Sequence, residues 1–274
     1  MHTHVMTQPM ETTQRSIADQ TVSRRRLLIT GGAKRVGGAL AEHFAARGDD
    51  LVLHCHQSRD AAEQLAARLH AQHGTQVDIV VADLSDPESL PHFWDGVPPC
   101  HGFIHSAAMF ERDTLSSMQA AQFQQQLQVN FTTPLVLAQG FMRQLPPNST
   151  EDGNIIILGD GVMGWSVSPE FFSYSLTKQA WLGALDVLAA ACAPRARVNL
   201  LALAPTIPGV MDGPETFARI ASLMPMQRTS DPQSVCDAAE YLLGARGVTG
   251  QVISLSAGAH LQSYRRGPTP PPIA

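Results

Sequence analysis

Charge is scarce in this sequence. Of 274 residues 16% are charged, and 19 Lys+Arg against 24 Asp+Glu leave a net charge of -5. That balance gives no broad positive field to collect phosphate backbones, which argues against nucleic acid as a partner. The one basic run, Arg24-Arg25-Arg26, abuts an apolar segment and reads as a charged flank before a buried strand. Cysteine is sparse too. Cys55, Cys100, Cys192 and Cys236 contain no Cys-x-x-Cys pair, so they read as reduced, mostly buried thiols rather than staples or metal ligands. No apolar run approaches the roughly 18 residues of a membrane span. The first 22 residues lack the apolar core of a secretory signal. The expectation is a cytoplasmic protein that touches neither membrane nor metal, with a disordered N-terminal arm over 1–24 and a frayed tail over 264–274.

What is present is alternation. Short β-rich runs are expected at Arg26 to Thr30, Leu51 to Cys55, Val77 to Val81, Gly102 to His105, Asn154 to Leu158, Arg197 to Leu203 and Gln251 to Leu255. Between them helical periodicity covers Gly37 to Arg47, Ser58 to His73, Pro87 to Phe93, Ser117 to Gln144, Phe171 to Cys192 and Pro232 to Leu243. Strand and helix in strict turn predict an α/β, Rossmann-like, doubly wound parallel sheet of seven strands, with helices on both faces. No Pro/Gly/Ser-rich linker and no internal repeat divides it, so residues 25–263 are expected to form one domain. Pro205 to Pro225, rich in Pro, Gly and Met, falls where a mobile cap over the sheet edge would lie.

The first strand runs into Thr30-Gly31-Gly32-Ala33-Lys34-Arg35-Val36-Gly37-Gly38 and then a helix. Glycines there let the backbone approach a pyrophosphate, and the helix N-terminus offers it unpaired N–H groups. An acidic residue after the second strand would bind ribose hydroxyls and repel a 2′-phosphate. This chain instead has Leu53-His54-Cys55-His56-Gln57-Ser58-Arg59, which favours NADPH over NADH. His56, Ser58, Arg59 and Lys34 are the candidate 2′-phosphate contacts, and Asp83-Leu84 after the third strand is a candidate for the adenine.

Tyr174-Ser175-Leu176-Thr177-Lys178 puts a phenol and an ammonium four residues apart on one helical face. The expectation is that Lys178 draws the phenol pKa down from about 10 toward neutrality, making a usable proton donor. Asn130, in Val129-Asn130-Phe131, competes with helical hydrogen bonding and is a candidate to hold a water against the lysine.

In this order and spacing, the turn, Asn130, Tyr174 and Lys178 resemble the short-chain dehydrogenase/reductase family over Arg26 to Leu261. Within it the chain looks most like pteridine reductases and the related dihydromonapterin/dihydrofolate reductases. Arg35 stands where the family turn has a glycine, and the resemblance implies that it reaches both cofactor phosphate and pterin. The stretch His54-Cys55-His56-Gln57-Ser58 resembles the segment that recognises the 2′-phosphate, with Gln57 where an arginine is common. Asp160 lies where most of the family has a catalytic serine, fourteen residues before Tyr174 where thirteen is common, and Phe110 falls where an aromatic ring stacks on the pterin. The resemblance also places Ser106, Ala107, Pro205 and Ile207 at the cofactor, although His105-Ser106-Ala107-Ala108 replaces the usual Asn-Asn-Ala-Gly. It implies a homotetramer built on the fourth and fifth helices, and reduction of a dihydropterin C=N bond by NADPH. Catalysis would rest on Tyr174, Lys178, Asp160 and Asn130, with Arg35 and Phe110 clamping the substrate. A carbonyl or 3-oxoacyl reductase, and a non-catalytic NADPH-binding scaffold, remain the alternatives.

Overall fold

The computed structural model describes residues 24–147, 153–161, 169–208 and 214–262. Its strands are β1 (Arg26–Thr30), β2 (Asp50–Cys55), β3 (Val77–Val81), β4 (Gly102–His105), β5 (Gly153–Asp160), β6 (Ala196–Leu203) and β7 (Val252–Leu255). The helices are α1 (Arg35–Ala46), α2 (Arg59–His73), α3 (Ala120–Leu127), α4 (Thr133–Gln144), α5 (Phe172–Gln179), α6 (Trp181–Cys192), α7 (Pro214–Leu223) and α8 (Pro232–Gly244).

All seven strands pair in parallel in the order β3-β2-β1-β4-β5-β6-β7. Strand residues alternate between two cores, as a pleat with both faces covered requires. Leu28, Val52, Phe103, Ile155 and Val198 pack with Phe141 and Trp181 on one face. Leu27, Ile29, Leu51, Leu53 and Ile104 pack with Phe44 and Leu242 on the other. The order reverses between β1 and β4, where Thr30 is the register partner of His105. Such a reversal opens a crevice beyond the carboxyl ends of the two strands, and it fixes where a ligand enters.

Several expected elements take a different form. Pro87 to Phe93 yields only a tight turn of helix at Leu90–His92. The expected helix from Ser117 starts at Ala120, and its middle, Gln128–Thr132, is wound as a π turn centred on Asn130. The run Phe171 to Cys192 is two helices meeting at Ala180. The expected cap contains a regular helix, α7, because Glu215 to Leu223 interposes helix formers among the Pro and Gly; its residues 209–213 lie outside the described ones.

Arg24, assigned to the arm, is docked: its guanidinium donates to the Gly74 carbonyl at 2.9 Å. The rest of the expected arm, and the tail over 264–274, lie outside the described residues. Among the described residues no helix is long and apolar enough to cross a membrane.

Candidate active site

Thr30 ends β1 and organises the floor of the crevice. Its hydroxyl oxygen accepts the N–H groups of Ser106 and Ala107, both at 3.1 Å, and lies 3.0 Å from His105 Nδ1. With two amides already pointing at the oxygen, the Thr30 proton is donated to His105 Nδ1. The altered segment after β4 is thus rebuilt around a threonine–histidine contact. It also means that the Ser106 and Ala107 amides, expected at the cofactor, are spent within the protein. His105 is fully buried, and burial, with the Lys178 charge beside it, pushes its pKa down to about 3.

The turn after β1 is kept bare by necessity. A Cβ at Gly37 would lie 2.2 Å from the Gly31 carbonyl oxygen, and Gly31 itself takes φ +62. Arg35 adopts φ +53, a region costly to a residue with a side chain, and its guanidinium donates to the Ile207 and Pro208 carbonyls at 3.2 and 3.1 Å. The arginine therefore bridges the turn to the loop after β6, where Pro205 is exposed. Val36 follows it, half-buried, in the first turn of α1.

Beside the turn lies a cavity of about 270 Å³ lined by Gly31, Ala33, Lys34, Cys55, His56, Gln57 and Ser58. The structure thus brings three of the sequence-derived 2′-phosphate candidates, Lys34, His56 and Ser58, together, with no carboxylate in the lining. Two candidates stand apart. Arg59 is exposed and donates to Glu63 at 2.8 Å, the pairing of neighbours one helical turn apart. Asp83 accepts from the Ser85 N–H and hydroxyl at 2.9 and 2.7 Å, which depresses its pKa, and lies 3.8 Å from His56. Leu84 is buried, and its carbonyl accepts from Thr133 at 2.8 Å.

On the other side of the crevice the Tyr174 hydroxyl donates to Asp160 Oδ2 at 2.6 Å. Lys178 Nζ donates to the Leu158 carbonyl at 3.1 Å and lies 5.8 Å from the Tyr174 ring centre. All three belong to β5 and α5, so one strand–helix pair delivers carboxylate, phenol and ammonium. The electrostatics correct the expectation from sequence. Burial, then the Asp160 charge and its hydrogen bond, push the Tyr174 pKa well above 10 instead of toward neutrality. Lys178, fully enclosed, is itself lowered to about 8 by burial, against the pull of Asp160. The phenol holds its proton because it is buried and because its nearest charge is an anion.

The Asn130 side chain is engaged by protein: Oδ1 accepts the Met109 N–H at 2.9 Å, while Nδ2 donates to the Met109 carbonyl at 2.9 Å and to Thr177 Oγ1 at 3.1 Å. It clamps the loop after β4 to α5. The π turn presents the Asn130 backbone carbonyl to Trp181 Nε1 at 3.0 Å.

Phe110 is 59% exposed, stacks face to face on Phe171 with centroids 4.4 Å apart, and meets Tyr174 edge-on at 4.6 Å. Phe171 and Asp113 escaped the sequence reading, and His54 entered it only as part of the stretch at the end of β2 that resembles a 2′-phosphate segment. Asp113 is buried and accepts from the Ser173 N–H at 2.9 Å and from the Ser173 hydroxyl, fastening the Phe110 loop to the start of α5. That pairing spans sixty residues and leaves no local signal. His54, inside an apolar strand, was legible as a buried polar group that needs partners.

A family model described as enoyl-(acyl carrier protein) reductase matches residues 31–260. The chain belongs to the short-chain dehydrogenase/reductase family. It is 28% identical over 244 residues to the uncharacterized oxidoreductase YmfI of Bacillus subtilis, covering 85% of this chain and 98% of its relative. It is 26% identical over 240 residues to the dihydromonapterin reductase of Shigella boydii, covering 86% and 97%. Among solved structures, FolM alternative dihydrofolate reductase 1 from Brucella canis, complexed with NADP, superposes with a TM-score of 0.78 at 34% identity, covering 86% of this chain and 94% of that one. As a member of this family the chain is an oxidoreductase with the family's single-domain Rossmann-like fold.

Proposed function

We propose that the protein is an NADPH-dependent reductase of a C=N bond in a flat, dihydropterin- or folate-like heterocycle. The observation that carries this reading is the 2.6 Å contact between Tyr174 and Asp160 at a mouth edged by Phe110. Hydride reduction of a C=O or a C=N bond consumes one proton as well, and a carboxyl group paired to a phenol can relay that proton to a ring nitrogen.

The cofactor is NADPH. The bare glycine turn fits a pyrophosphate, and the adjoining cavity, with Lys34 and Ser58 and no carboxylate, fits a 2′-phosphate. The Brucella relative solved with NADP supports the same reading. When bound, NADPH supplies the hydride. Tyr174 holds the transferable proton at its hydroxyl oxygen, against Asp160. Lys178, still an ammonium at pH 7 with a pKa of about 8, stabilises the phenolate left behind. Asn130 and Asp113 hold the Phe110 loop in register with Tyr174. Phe110, one face on Phe171, offers its exposed surface to the heterocycle, and Arg35 supplies a cation at the turn.

The protein is further proposed to assemble as a homotetramer. Trp181, Leu185 and Ala189 of α6 are buried, yet Leu182 and Val187 of the same helix are 49% and 70% exposed. Core packing therefore accounts for only one face of that apolar helix.

The test follows NADPH oxidation with dihydrobiopterin, dihydromonapterin, dihydrofolate and an acetoacetyl thioester side by side, for wild type and Asp160→Ser. Turnover of a dihydropterin or dihydrofolate is expected, reduced about 10²-fold or more in the variant by loss of the proton relay. Turnover of the thioester alone would establish the 3-oxoacyl reductase. NADPH binding with no turnover, unchanged by Tyr174→Phe, would establish the scaffold.

A further inference from the structure

Two consecutive amides of the glycine turn end on one residue. The Gly31 N–H donates to His54 Nδ1 at 3.2 Å, and the Gly32 N–H donates to the His54 backbone carbonyl at 3.0 Å. At its far side, the same imidazole donates from Nε2 to the Ala82 carbonyl at 3.1 Å. A ring nitrogen accepts only when it carries no proton, so this pair of partners selects the neutral tautomer protonated at Nε2.

The surroundings keep it so. His54 is 2% exposed, with the Phe93 ring 5.6 Å away. Burial pushes its pKa down to about 4; the His56 charge adds to that, while the Ala82 carbonyl and the Asp83 charge oppose it. The ring spans from the first glycine after β1, across β2, to the residue that follows β3. The carboxyl ends of β1 and β2 bound the cavity of about 270 Å³, and β3 pairs beside β2.

We propose that His54 is a positioning residue for the cofactor: through Nδ1 its neutral imidazole holds the Gly31 amide and so sets the shape of the adenosine end of the groove before NADPH arrives. Because the Gly31 and Gly32 amides are already committed to His54, the cofactor phosphates fall to the amides that open α1. This inference rests on the NADPH reading given above.

Asparagine and glutamine separate the two bonds. Asparagine places its carbonyl oxygen where Nδ1 sits and keeps the acceptor for Gly31. Glutamine reaches the Nε2 position, keeps a donor to Ala82 and leaves the Gly31 N–H unpaired. The experiment is fluorescence titration of the full chain with NADPH for wild type, His54→Asn and His54→Gln, with thermal melting of each to confirm folding. Glutamine is expected to raise the Kd about tenfold, the weight of one buried amide losing its partner, while asparagine stays close to wild type. The ¹⁵N spectrum should show His54 protonated at Nε2 and bare at Nδ1.

Equal Kd values for the two folded variants, whether weak or wild-type, would overturn the role of His54, as would the opposite tautomer. A wild-type chain that binds no NADPH would overturn the cofactor reading itself and this inference with it.

Discussion

Two buried histidines make the molecule sensitive to acid. His54 and His105 have pKa values near 4 and 3, against an ordinary value of 6.5, because enclosure disfavours their charged forms. A lowered histidine pKa means that, between the folded and ordinary values, the unfolded chain binds the proton that the folded chain refuses. Stability therefore falls as pH drops from 6.5, by up to about 1.4 kcal/mol per pH unit for each ring. For His54 the loss levels off near pH 4, and for His105 near pH 3. Urea midpoints measured from pH 7 to pH 4 should decline steeply, and His105→Gln should flatten the decline. A midpoint constant across that range would show that both rings titrate normally. At this scale the sequence was readable where chemistry is local: Tyr174 and Lys178, four residues apart, both belong to α5. It misled where the environment rules, since the direction of the Tyr174 shift depends on a carboxylate fourteen residues away and on burial that no spacing reports.

At the level of elements, the loop after β4 is held by two side chains from distant places. Asn130, on the π turn, binds the Met109 backbone on both edges, and Asp113 binds Ser173 at the start of α5. Between these anchors stands Phe110. Asp113→Asn should leave a weaker acceptor for the Ser173 N–H and hydroxyl, costing about 1–3 kcal/mol of stability. Its effect on activity should fall on KM for the heterocyclic substrate through a loosened Phe110, with the NADPH Kd unchanged. Steady-state kinetics with each substrate varied in turn would read this, and an equal rise in both constants would contradict it. Strand positions were visible in the sequence because buried parallel strands are continuous apolar runs. The π turn was not, for it arises when tertiary partners claim the Asn130 amide and carbonyl. The helix α7 was missed because Pro and Gly dominate its surroundings while the interior of the segment favours helix.

Across the whole molecule, the layering of helices on one seven-stranded sheet was legible from alternation alone, whereas the strand order and the crevice it creates depend on crossovers that periodicity does not encode. The same layering leaves Leu182 and Val187 facing outward on α6. If this face joins subunits, light scattering should give a mass about four times that of one chain, the assembly state the family resemblance implies. Val187→Glu should then lower it to a dimer or monomer without unfolding the chain. A monomeric wild type would contradict the assembly.

Thr30 and His105 are neighbours across the switch between β1 and β4, yet seventy-five residues separate them, and Tyr174 comes sixty-nine residues later still. During synthesis the glycine turn therefore leaves the ribosome well before either partner that completes its floor or the phenol that faces it. Until β4 and then β5 dock, the Thr30 hydroxyl and the β1 edge that pairs with β4 stay open to water and to other nascent chains. Slow translation between β1 and β4 would lengthen that exposure, and early capture of a nucleotide would shorten it.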